Sequence, residues 1–312
     1  MVRLVLVLAA ASIVLGAGVA AASPPSPDNP AGAGADVLGV VPTKAEARAY
    51  AARAGSGGNL VYHGGKVLRT NKTVSIFWDP NGTFAPGYAS TIEQYFADVA
   101  AASGQTTNVY SVLSQYYDGT GSISYSSTHG AAVVDSNPYP ASGCADTVAQ
   151  TTTCLQDSQI RAELQKVVKS PDPNTTYFVF TGKGVGSCYS STSCAFSSFC
   201  AYHMNLAING VTVQYANQPY AMTVPSACDT GYHPNGANDA DATINVASHE
   251  HRESINDPLG TAWYDRRGYE GSDKCAWNFG AVTGDYNQSI NGHHYILQQE
   301  WSNAASACRL RG

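Results

Sequence analysis

Eight cysteines, at 144, 154, 188, 194, 200, 228, 275 and 308, all lie downstream of an apolar N-terminal stretch. An even set of cysteines in a chain sent to an oxidising compartment is read first as a disulfide framework, which limits the fold to one whose loops can be tied together. The export reading rests on residues 1–22: a positive start at Arg3, an apolar run from Leu4 to Leu15, and Ala20-Ala21-Ala22 before Ser23. That run is about a dozen residues where a membrane span needs about 20, so it is expected to be a signal peptide. With no second apolar run, no membrane span remains after cleavage and the protein is expected to be secreted. No Cys-x-x-Cys pair occurs, which disfavours a zinc-thiolate cluster and leaves four bridges. Eight cysteines allow 105 pairings; Cys144–Cys154 and Cys275–Cys308 are the pairs expected here.

The 312 residues suffice for a sizeable core. Hydrophobic residues make up 44% of the chain and aromatic ones 10%, so disorder is excluded for most of it. A nucleic-acid partner is excluded by charge: 17 Lys and Arg against 23 Asp and Glu cannot build a dense basic face. Residues 23–42 are rich in Pro, Gly and Ala and read as a linker. Residues 43–54 read as a helix stopped by Gly55-Ser56-Gly57-Gly58, a surface helix or part of a pro-segment spanning 23–57. From there a single globular domain, 58–312, is expected. Thr73–Trp78, Ser122–Tyr125, Ala131–Val134, Tyr177–Thr181, Tyr202–Ile208 and Val211–Tyr215 read as strands. Helices are expected over Tyr88–Ala102, Ser158–Val168 and Asp239–Asn256, the first from apolar spacing at Ile92, Tyr95, Phe96 and Val99. Interleaved strands and helices predict an α/β fold, a twisted mixed sheet with packed helices, stapled by disulfides.

The chemistry concentrates between Asp239 and Asp273. On a helical wheel Glu253 falls beside His249 one turn on, Asp257 and Glu250 follow on the same side, and His251 points away to the opposite side. Three carboxylates so close need protons or a cation. His249-Glu250-x-x-Glu253 matches the zincin His-Glu-x-x-His in every slot but the last, where a carboxylate replaces the second imidazole. In that logic His249 and Glu253 hold zinc, and Glu250 is the general base that polarises a metal-activated water. Asp273 or Glu270 is expected as third ligand, with Asp257 a further candidate. Spaced oxygens here could equally hold a structural calcium. Histidines 63, 203, 251, 293 and 294 are expected to be structural, with at most one of the adjacent pair 293 and 294 able to reach a metal. No Gly-x-Ser-x-Gly elbow supports a serine nucleophile.

Five segments in order complete the picture: Tyr62-His63-Gly64-Gly65-Lys66-Val67-Leu68, the Thr176–Thr181 run, Phe199-Cys200-Ala201-Tyr202-His203, Asn245–Ser248 leading to Asn256-Asp257-Pro258-Leu259-Gly260, and Gly292–Leu297. Together they resemble the EXORDIUM, or phosphate-induced-protein, family over about residues 59–310. The resemblance implies secretion, residence in the extracellular matrix or cell wall, and a growth-related role in plants without an established reaction. Plant members lack the His-Glu pair; this chain is similar to bacterial relatives that keep His-Glu-x-x-Glu followed by Asp-Pro and a Trp-Tyr-Asp turn. Two functions follow as expectations. The first is a secreted zinc-dependent hydrolase, a metallopeptidase acting on a peptide, protein or cell-wall substrate, with a zincin-like helix beneath a cleft. The second is a non-catalytic extracellular protein, calcium-stabilised, that binds cell-wall material.

Overall fold

A computed structural model describes residues 39–53, 58–146 and 151–312. The expected signal peptide lies outside the described residues. A curled, mixed sheet of seven strands forms the centre, running in space as Val40–Pro42, Phe199–Ile208, Val211–Gln218, Thr175–Thr181, Asn71–Trp78 and Ser127–His129, with Val133–Asp135 also paired to Asn71–Trp78. The first two junctions are antiparallel and the rest parallel.

Alternation along the central strands feeds two cores, because successive side chains leave a strand on opposite faces. Phe77, Phe178 and Phe180 pack on one side with Ile92, Phe96 and Val99 of the helix Tyr88–Ala101 and with Ile244, Ala247 and Ile255 of the helix Ala240–Asn256. Ile76, Trp78, Tyr177 and Val179 pack on the other with Ile160 and Leu164 of the helix Asp157–Val167. A sheet covered on both faces accounts for the nearly continuous apolar runs of its parallel strands.

The helix Ala240–Asn256 is buried along its whole length. It ends where the Asp257 N–H bonds the Glu253 carbonyl, and Pro258 follows. A helix with no solvated face has to satisfy every polar side chain it carries inside the protein. His251 does so through Tyr110 Oη at 2.9 Å and Asn71 Oδ1 at 2.8 Å. Arg252 does so through Glu300 at 2.8 Å, whose carboxylate matches its charge.

Four disulfides close the framework: Cys144–Cys154, Cys188–Cys194, Cys200–Cys228 and Cys275–Cys308. The two expected pairs are among them. Among the described residues no helix is long and apolar enough to cross a membrane.

Two sequence expectations need correction. The stretch 23–42 reads as linker throughout, but Val40–Pro42 is an edge strand of the main sheet, with Val40 and Val41 buried. Composition averaged over the Pro- and Gly-rich stretch hides three residues whose own side chains favour a strand or an edge position. The expected strand Ser122–Tyr125 is reduced to Gly121–Ser122, paired with Tyr117–Asp118. The helix expected over 43–54 is present as Lys44–Arg53.

Candidate metal centre

His249 and Glu253, one helical turn apart, point from the helix Ala240–Asn256 toward the turn Asp273–Cys275, which the Cys275–Cys308 bridge ties down. His249 Nε2 lies 3.1 Å from Glu253 Oε2 and 3.3 Å from Asp273 Oδ1. Two ligands about 2.0–2.2 Å from a tetrahedral zinc stand roughly 3.3–3.6 Å apart, so the 3.3 Å pair meets that spacing and the 3.1 Å pair falls a little short of it. One ligand atom from each of the three residues lies within 4.8 Å of the others.

His203 joins the same cluster from the strand Phe199–Ile208. Its Nδ1 lies 2.9 Å from Glu250 Oε2 and 3.8 Å from Glu253 Oε2, and its Nε2 lies 4.0 Å from Glu270 Oε2. His203, Glu250 and Glu253 form a second candidate cation group that shares Glu253 with the first. The sequence alone reads His203 as structural. The usable signal is a polar residue flanked by Ala201, Tyr202 and Met204 in the buried half of a strand, where an unpartnered imidazole is costly.

Glu270 belongs to the cluster, and Asp257 stands at its edge, with Oδ2 buried and unpartnered and its charge adding to the rise of Glu270. Asp257 Oδ1 accepts the Thr261 and Ala262 N–H groups at 2.6 and 2.7 Å, fixing the turn after the helix. The helical wheel puts it on the side of His249, but Asp257 lies past the last helical residue and is in neither candidate cation group. Asp265 is likewise occupied, accepting the Arg267 and Tyr269 N–H groups and pairing with Lys274. Away from the cluster, His63 stacks on Tyr264, His293 pairs with Asp98, and His294 bonds Ser289.

The six clustered side chains, His203, His249, Glu250, Glu253, Glu270 and Asp273, are at most 9% exposed. His203 Nε2, His249 Nε2, Glu253 Oε2, both Glu270 oxygens and Asp273 Oδ1 are buried without a hydrogen-bond partner. Buried polar atoms are normally paired, so this many converging on one space ask for an ion or for protons. Burial pushes the Glu250 and Glu270 carboxyls well up, and the neighbouring carboxylates add to the effect. Burial and Asp273 push Glu253 up to about 8. Burial and the nearby His249 bring His203 down to about 3, so His203 is a neutral partner to Glu250. Burial opposes charge on His249 too, yet Glu253 and Asp273 outweigh it and hold its imidazole well above the ordinary range.

Behind the imidazole, the Gln298 amide nitrogen lies 2.6 Å from His249 Nδ1 and donates to the Ser272 carbonyl at 3.0 Å. This orientation fits a neutral imidazole with its proton on Nε2, facing the carboxylates, whereas the charged ring that those carboxylates favour needs the amide turned over. A cation at Nε2 requires the amide to turn over so that its oxygen accepts from Nδ1–H.

The cluster also has a cover. Val41 N–H donates to Glu250 Oε1 at 3.2 Å. Gly39 lies against the carboxylates so closely that a Cβ there would overlap Glu253 Oε2 and stand 2.5 Å from Glu270 Oε2. The expected open cleft is therefore filled by the chain's own N-terminal segment.

A family model described as the phosphate-induced protein 1 conserved region matches residues 60–310, and the chain belongs to that family. No curated protein and no solved structure matches the chain.

Proposed function

We propose that this member of the phosphate-induced-protein family is a secreted zinc-dependent hydrolase of peptide bonds, with the metal held by His249, Glu253 and Asp273. The observation that carries the reading is the convergence of three buried ligand atoms, from a helix and a disulfide-tied turn, that face one another as ion pairs and accept or donate no hydrogen bond outside their own group. An imidazole among the donors favours zinc over calcium, which takes 6–8 oxygens. When bound, the ion would supply Lewis acidity and activate water at neutral pH. Glu250, next to His249 in sequence, would take and return a proton once a bound cation offsets the burial that raises its pKa. His203, 2.9 Å from it, would orient its carboxyl. Export is supported by four disulfides and by the N-terminal apolar stretch.

The depth of the cluster favours a second reading, a non-catalytic extracellular protein in which the cation braces helix to turn. Glu250→Gln separates the two. A hydrolase variant of this kind keeps its zinc and loses cleavage of a peptide library, whereas a zinc-loaded wild type that cleaves nothing once its site is accessible supports the brace.

A further inference from the structure

We propose that residues 39–42 occupy the groove built for an extended peptide, so that the segment acts as an internal occupant closing the cluster. The consequence for the metal rests on the proposed function above; the occupancy itself is argued from main-chain geometry. The segment precedes the family match at 60–310, yet it completes the sheet edge of that domain. Val40 and Val41 pair antiparallel with Tyr202 and Ala201, and the His203 N–H donates to the Gly39 carbonyl at 3.2 Å. Addition of a strand to a sheet edge is a recurring way to hold peptides, with affinity from main-chain bonds and selectivity from side-chain pockets.

Two side chains of the domain read the segment's backbone as they would read any peptide. Glu250 accepts the Val41 N–H, and the Trp277 indole N–H donates to the Pro42 carbonyl at 2.8 Å. At the carboxylates the fit admits only a residue without a side chain, because a Cβ on Gly39 would overlap Glu253. Val40 and Val41 are buried among apolar side chains. The ligand class that follows is an extended peptide with glycine over the acidic cluster and β-branched apolar residues after it.

The test uses the full chain carrying Gly39→Leu, loaded with zinc, and a fluorescent synthetic peptide with the sequence of residues 36–44. The expected result is that EDTA strips zinc from the variant at least tenfold faster than from wild type. The peptide should bind the variant and not wild type, and a peptide carrying the same Gly39→Leu change should bind neither. Absence of peptide binding to the variant overturns the proposal whatever the zinc rate, and binding with an unchanged zinc rate overturns the closing role. If neither protein takes up zinc, the metal reading falls while the peptide arm still decides the groove. Should Gly39→Leu fail to fold, a site-specific protease sequence inserted after Ser56 and cut after folding gives the same decision. The freed segment should then exchange with excess peptide, and failure to exchange overturns the proposal.

Discussion

Gln298 is the residue that decides whether His249 presents a lone pair or a proton to its carboxylate neighbours. With the amide nitrogen toward Nδ1, the proton sits on Nε2; with the oxygen there, Nε2 is free to ligate. Replacing Gln298 by Glu fixes an acceptor at that position, so zinc affinity should hold or rise. Gln298→Leu should lower it about 10–100-fold, the usual cost of losing the outer partner of a ligating histidine; competition with a chromophoric chelator measures both. Equal affinities in the two variants would mean that His249 is not a ligand. Asp257 makes a contrasting case. Its carboxylate is buried and accepts two turn N–H groups, so Asp257→Ala should cost about 1–3 kcal/mol in urea unfolding, with zinc stoichiometry unchanged.

The helix Ala240–Asn256 and the turn Asp273–Cys275 supply the ligand set, and how much of each was legible follows from periodicity. The helical spacing puts His249 and Glu253 on one face, because a 3.6-residue repeat is a local property of the chain. It could not choose between Asp273 and Glu270, which depends on how the turn docks and on the Cys275–Cys308 bridge. His203 was missed because it arrives from a strand 46 residues before His249, a relation that exists only once sheet and helix pack. The edge strand Val40–Pro42 was hidden by its Pro- and Gly-rich surroundings. At this scale the Cys200–Cys228 bridge is informative, since it fixes the strand that carries His203 to the short helix Pro225–Cys228. Removing it as a Cys200→Ala, Cys228→Ala double variant should cost about 2–5 kcal/mol. His203 should then lose its fixed place, with a measurable drop in zinc affinity; an unchanged affinity would separate that strand from the metal centre.

Across the whole molecule, a buried group of four carboxylates and two imidazoles ties folding to pH and to cations. Glu253, raised to about 8, and the raised Glu250 and Glu270 hold protons in the fold that the unfolded chain releases near the ordinary glutamate value of 4.5. Their contribution is fully present below that value and is lost as pH rises through the folded one. His249, also raised, acts in the same direction above 6.5. His203 and His251, lowered to about 3, act oppositely, but only between about 3 and 6.5. Without cation the melting temperature should therefore fall between about pH 6.5 and about pH 8. Added zinc should raise it most at the upper end, because ligation needs the deprotonated groups. A flat profile in both conditions would contradict a shared buried cluster. The most direct measurement is the metal content of the purified full chain by native mass spectrometry after exposure to zinc and exhaustive buffer exchange. The account predicts one zinc per chain, lost in His249→Ala and in Glu253→Gln and retained in Glu250→Gln; a wild-type chain that carries no cation would contradict it.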